Sequence, residues 1–159
     1  MNKHVLIRKI VATLTSELQV YFRAAQASRA EATDEQSKAD NKYDTRGLEA
    51  SYLASGQSKK VAELEAAIAE FERLDGRTFA AEAGIGVGAL VELEMSCESS
   101  LYFIGPRAGG TEVLLDGKEI LVITPHSPLG AQLMEQKQGA RLPLDLGGRR
   151  QAARIVSVD

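Results

Sequence analysis

The sequence is poor in the side chains that most often carry chemistry. Its 159 residues include one cysteine, two histidines and no tryptophan. With Cys97 alone, no disulfide forms within the chain and no multi-cysteine zinc site can be built. His4 and His126 stand far apart in sequence, which argues against a histidine-rich metal centre. No apolar run approaches the roughly 18 residues that a membrane helix needs. Near the N-terminus, Arg8, Lys9, Thr13 and Thr15 interrupt the apolar stretches. Ala25-Gln26-Ala27 is therefore not read as the cleavage site of a secretory signal. A soluble, cytoplasmic protein with no membrane partner is expected. The net charge is −3, so the cation excess that holds a protein to nucleic acid is also missing. What remains is ordinary globular composition, 44% apolar and 26% charged, enough for one domain or two small ones.

Proline is absent before residue 75, and the only glycines there are Gly47 and Gly56. All four prolines and the other glycines come later. The first part can thus carry long helices, and the second is punctuated like a β-rich domain. Val11, Leu14, Leu18, Tyr21, Ala25, Ser28 and Ala32 recur at steps of three and four, as do Ala50, Ala54, Gln57, Val61, Leu64, Ile68 and Phe71. Such steps mark a coiled-coil seam. Both seams weaken to small or polar residues toward the same segment, 34–48. An antiparallel hairpin explains this, with a tip near residues 36–45 and arms of ~45 Å at 1.5 Å per residue. A compact bundle, or a dimer formed through the seam, fits the same periodicity.

The second part reads as strands around one short helix. Val91, Leu93 and Met95 alternate with Glu92 and Glu94, the pattern of a half-buried strand. Further strands are expected over 100–104, 111–115, 119–123, 141–146 and 152–158, with Asp116-Gly117 as a hairpin turn. Ser127-Pro128 places a capping residue before a proline at the first helical position, so a helix is expected over 128–137 with Gly139 as its C-terminal cap. The fold class is α+β: an N-terminal helical hairpin over 1–75, a linker over 76–86, and an antiparallel sheet with one short helix over 87–159.

No nucleophile motif, P-loop, dinucleotide fingerprint or metal-ligand spacing is present. The glycine-rich stretch 105–110 reads as a loop, His126 as a hydrogen-bonded structural histidine, and Cys97 as an incidental thiol. Arg149-Arg150 reads as a solvated turn able to touch an acidic patch on a partner. The tip carries Asp34, Glu35, Asp40 and Asp44. These are a solvated loop in one reading. In the other, a long rod presents carboxylate oxygens, ligands suited to Mg²⁺, at its far end.

The layout resembles the GreA/GreB family of transcript cleavage factors. Three segments carry the resemblance. The first is 123–139, a strand followed by Ser127-Pro128-Leu129, a small-residue helix and Gly139. The second is Ala39-Asp40-Asn41-Lys42-Tyr43-Asp44, which lies where the family has its Gly-Asp-x-Lys-Glu-Asn tip. The third is Lys60-Val61-Ala62-Glu63-Leu64-Glu65 on the returning arm. The resemblance implies a coiled-coil hairpin and an FKBP-like C-terminal domain that binds RNA polymerase. It implies insertion of the tip into the polymerase secondary channel and stimulated cleavage of backtracked transcripts, with nascent RNA touched only indirectly. The chain would not itself be an enzyme, and it would need no cofactor beyond Mg²⁺ shared with the polymerase active site. Asp40 matches the family's tip aspartate, and Lys42 its lysine. The tip glutamate falls on Tyr43, leaving Asp44 as the second carboxylate, so Asp40 and Asp44 are the candidate catalytic and metal-positioning residues. The departure at Tyr43 also fits a Gre-like regulator that inhibits or competes without cleavage. A prolyl isomerase of the FKBP type, or a generic coiled-coil scaffold, is the reading from a different class.

Overall fold

A computed structural model describes residues 1–33 and 46–159. The elements are α1 (Lys3–Thr33), α2 (Arg46–Glu72), β1 (Leu90–Met95), β2 (Glu98–Ile104), β3 (Glu112–Leu115), β4 (Lys118–Ile123), α3 (Pro128–Leu133), β5 (Arg141–Leu146) and β6 (Arg149–Val158). The chain divides into two compact units. One is Leu14–Ile68, and the other joins Met1–Thr13 to Ala69–Asp159. The first turns of α1 and the last of α2, which the sequence reading placed with the hairpin, therefore pack with the sheet.

In the helical unit the expected seam is visible in burial. Leu14 and Leu64 are buried, and Leu18, Tyr21, Val61 and Ile68 are half-buried. Glu17 and Lys60 pair at 3.9 Å, and the same ammonium lies 5.7 Å from the Tyr21 ring centroid. Glu17 precedes the connecting segment by about as much as Lys60 follows it, the relation expected of antiparallel helices. The ion pair is well exposed, so it sets register more than stability.

The sheet has six strands in the order β3-β4-β2-β1-β6-β5. The expected alternation in β1 holds, with Val91 and Leu93 buried on one face and Glu92 and Glu94 on the other. One expectation fails. The sheet is mixed, because β2 and β4 run parallel, Leu101 facing Ile120 and Ile104 facing Ile123. The chain leaves β2 through Gly105, reverses at the sheet edge as β3, and returns as β4 between β3 and β2. The β3–β4 turn uses Asp116 and Gly117 at φ 53° and 75°, the left-handed pair that hairpins favour.

One sheet face carries a core of Val91, Leu93, Ile104, Ile123, Leu144 and Ile155, closed by Leu133 of α3. The opposite face, around Phe103, meets the last turn of α2. Phe71 stacks on Phe103 with centroids 6.2 Å apart, and both rings are fully buried. Both sheet edges are closed by side chains. Gln132 accepts from the Asp145 N–H at 2.9 Å and donates to the Asp145 carbonyl at 3.0 Å, as a neighbouring strand would. Pro143, two residues earlier on the same edge, has no N–H to offer. At the other edge, Lys9 donates to the Leu114 carbonyl at 2.7 Å.

Lys3 is the one buried charged residue among those described. Its ammonium donates to the carbonyls of Arg77 and Gly88, lies 3.9 Å from Asp159 Oδ1, and sits 5.0 Å from the Phe79 ring centroid. Burial pushes its pKa below the usual 10.5, against the attraction of Asp159 and Asp75 and together with repulsion from Arg77. The folded state then binds this proton less readily than the unfolded chain, so the stability owed to Lys3 rises with pH toward 10.5. Lys3→Met keeps the stem and orphans the two carbonyls, an expected cost of about 1–3 kcal/mol. In urea unfolding near pH 7 and near pH 10, the advantage of the wild type over Lys3→Met should grow with pH. A shrinking gap would mean that the Asp159 pairing, not burial, governs this lysine.

Candidate functional site

The motif at 123–139 is built from its own backbone. Ser127 has extended backbone angles, and its Oγ accepts from the Gly130 N–H at 3.0 Å while donating to the Thr124 carbonyl at 2.7 Å. One hydroxyl thus satisfies an orphan amide of α3 and ties the helix start to the end of β4. Pro128 occupies the first turn, where its missing N–H costs nothing. Gly130 is buried, and a Cβ there would lie 1.9 Å from the Thr124 carbonyl oxygen. No other residue fits that approach.

The helix is shorter than expected, ending at Leu133 rather than continuing to Lys137. Backbone pairing ends it. The Glu135 N–H donates to the Ile85 carbonyl at 2.9 Å, and the Ile85 N–H donates to the Gln136 carbonyl at 2.8 Å. Glu135 takes φ 64° to make this turn, the role that the sequence assigned to Gly139. Gly139 does have a positive φ, 83°, but it lies beyond the helix and passes the chain to the sheet, donating to the Ile155 carbonyl at 2.8 Å. His126, expected as a hydrogen-bonded structural histidine, is exposed just before α3. Cys97 is exposed in the β1–β2 turn.

The tip residues Asp40 and Asp44, with Lys42 and Tyr43, lie outside the described residues. Among the described residues no cluster of three or more histidine, cysteine or carboxylate side chains could hold a metal ion. No described helix is long and apolar enough to cross a membrane. Two features escaped the sequence reading. Lys3 gives no sign of burial in a basic N-terminal segment. Arg141 and Arg154 become neighbours only through the register of β5 and β6.

No family model and no curated protein matches this chain. Solved structures do. GreA factor homolog 1 (Gfh1) of Thermus thermophilus is 21% identical over 94% of each chain, with a TM-score of 0.36. Gfh1 of Thermus aquaticus is 25% identical over 91% of this chain and 90% of its own, with a TM-score of 0.40. A prokaryotic transcription elongation factor GreA/GreB from Nitrosomonas europaea is 22% identical over 60% of this chain and 78% of its own, with a TM-score of 0.36. Gfh1 and GreA/GreB factors are thus among the solved structures to which this chain is similar.

Proposed function

We propose that this chain is a Gre-type transcription elongation factor that acts on RNA polymerase through the secondary channel. The observation that carries the reading is the segment 123–139. The residues that bear the resemblance there form a serine-capped, proline-started turn with Gly130 under the Thr124 carbonyl. Helices of 31 and 27 residues supply the long arms that the reading requires. In this reading residues 87–159 hold the polymerase, and the hairpin of residues 1–75 delivers its tip to the active site. The polymerase supplies the catalysis and the Mg²⁺. Asp40 and Asp44 would add negative oxygen ligands that raise metal occupancy and help to orient the attacking water. Tyr43 favours a second reading, a factor that occupies the channel and inhibits or competes, because a phenol cannot replace a carboxylate at that position.

Cleavage of one backtracked complex across a Mg²⁺ series, at saturating factor, separates the two. If the chain stimulates cleavage, Asp40→Asn should lower the rate sharply while polymerase binding is retained. Tyr43→Glu should raise it. Inhibition of elongation with no cleavage by the wild type selects the second reading. Absence of polymerase binding by the full chain ends both.

A further inference from the structure

The open face of β1, β6 and β5 carries a groove of about 700 Å³ that the proposed function leaves unused. Its charges follow from register. Glu94 faces Arg154, and Arg154 faces Arg141, so these three side chains form one row across the sheet. Ala152 faces Pro143 in the next row, and Arg150 faces Asp145 in the third. Like charges directly opposite one another on a sheet repel. The single carboxylate of Glu94 is taken by Arg154, whose Nη2 lies 2.8 Å from Glu94 Oε2. The Asp145 carboxylate is committed to the β5–β6 turn, where Oδ1 accepts from the Gly148 N–H at 3.1 Å. Arg141 and Arg150 are exposed, and among the described residues neither forms an ion pair with a carboxylate, in a chain whose net charge is negative.

We infer that this groove docks an acidic segment of a partner protein, bound in extended form with carboxylates on Arg141 and Arg150 and an apolar side chain on Ala152 and Pro143 between them. The two arginines stand two rows apart, about 13 Å at ~3.3 Å per residue. An extended segment spans that distance in four residues, and its side chains at every second position share one face. The matching pattern is acid, apolar, acid at alternate residues. Nucleic acid fits less well. The groove offers no aromatic side chain for a base to stack on, its middle row is apolar, and Glu94 would oppose a phosphate. The inference is independent of the polymerase reading.

The probe is a fluorescein-labelled peptide containing Glu-Thr-Leu-Thr-Glu, titrated with the full chain at low salt and followed by anisotropy. Binding should weaken as salt is raised and fall at least tenfold in Arg141→Glu/Arg150→Glu. It should persist in Arg149→Glu, whose side chain belongs to the opposite face. Glu94→Gln frees Arg154 and should tighten binding. All these positions are at the surface, and unchanged circular dichroism would establish that the variants fold. No binding by the wild type overturns the inference. So does equal binding by the double variant, or tighter binding of a single-stranded oligonucleotide of equal charge.

Discussion

Gly130→Ala is expected to lower stability by about 3 kcal/mol or more. The new methyl carbon would stand 1.9 Å from the Thr124 carbonyl oxygen and 2.8 Å from Ser127 Oγ. The first obstacle is backbone, not the flexible end of a side chain, so relief requires moving α3 away from the end of β4. That movement breaks both bonds of the Ser127 hydroxyl and draws Leu133 out of the core. Ser127→Ala isolates the cap alone and should cost only about 1 kcal/mol. The two variants compared in urea unfolding give a direct test. If Gly130→Ala proves no worse than Ser127→Ala, the close approach at Thr124 is wrong. If the polymerase reading holds, Gly130→Ala should also reduce polymerase binding.

Phe71→Ala should cost about 3–5 kcal/mol. The ring is fully buried, it stacks on Phe103, and its edge rests against Gly105. A Cβ at Gly105 would lie 2.7 Å from Phe71 Cζ and 2.8 Å from Val122 Cγ1. Gly105→Ala is therefore also destabilising, but for a reason that Phe71→Ala removes in part. The double variant should be less damaged than the sum of the two single changes, since contacting sites couple. Strict additivity in that cycle would show that Phe71 does not rest on Gly105.

Much of this architecture could be read from residue spacing. The seam at Leu14, Leu18, Val61 and Leu64 appears as burial, and β1 alternates as Val91 and Leu93 against Glu92 and Glu94. The Ser127-Pro128 cap forms where the sequence puts it. These are local signals, complete within a few residues. The parallel pairing of β2 with β4 was not legible, because alternation in 100–104 and 119–123 is the same whichever way the neighbour runs. Nor was the premature end of α3, since the competing partner is the backbone of Ile85, some fifty residues away. The three-and-four spacing runs unbroken from Val11 to Leu14 and from Leu64 to Phe71, so periodicity could not show that contacts divide each helix between two units. Of the candidate site, Asp40 and Asp44 were chosen by resemblance and lie outside the described residues. Of the basic groove, only Arg150 was visible, as part of Arg149-Arg150. Strand register then sends these neighbours to opposite faces and brings Arg150 to the face of Arg141 and Arg154.

The unit that joins Met1–Thr13 to Ala69–Asp159 bears on how the protein emerges from the ribosome. β1 lies between β2 and β6, and Leu90 exchanges backbone hydrogen bonds with Asp159. Lys3 finds its carbonyl partners on Arg77 and Gly88, translated later, and its carboxylate on Asp159, later still. The beginning of α1 must therefore wait for residues 77–88 before it finds its carbonyl partners. At ~5–20 residues per second that wait is roughly 4–17 seconds. The helical unit, Leu14–Ile68, precedes those residues and can pair its seam earlier. Translation order thus lets Leu14–Ile68 organise before the first turns of α1 find their partners.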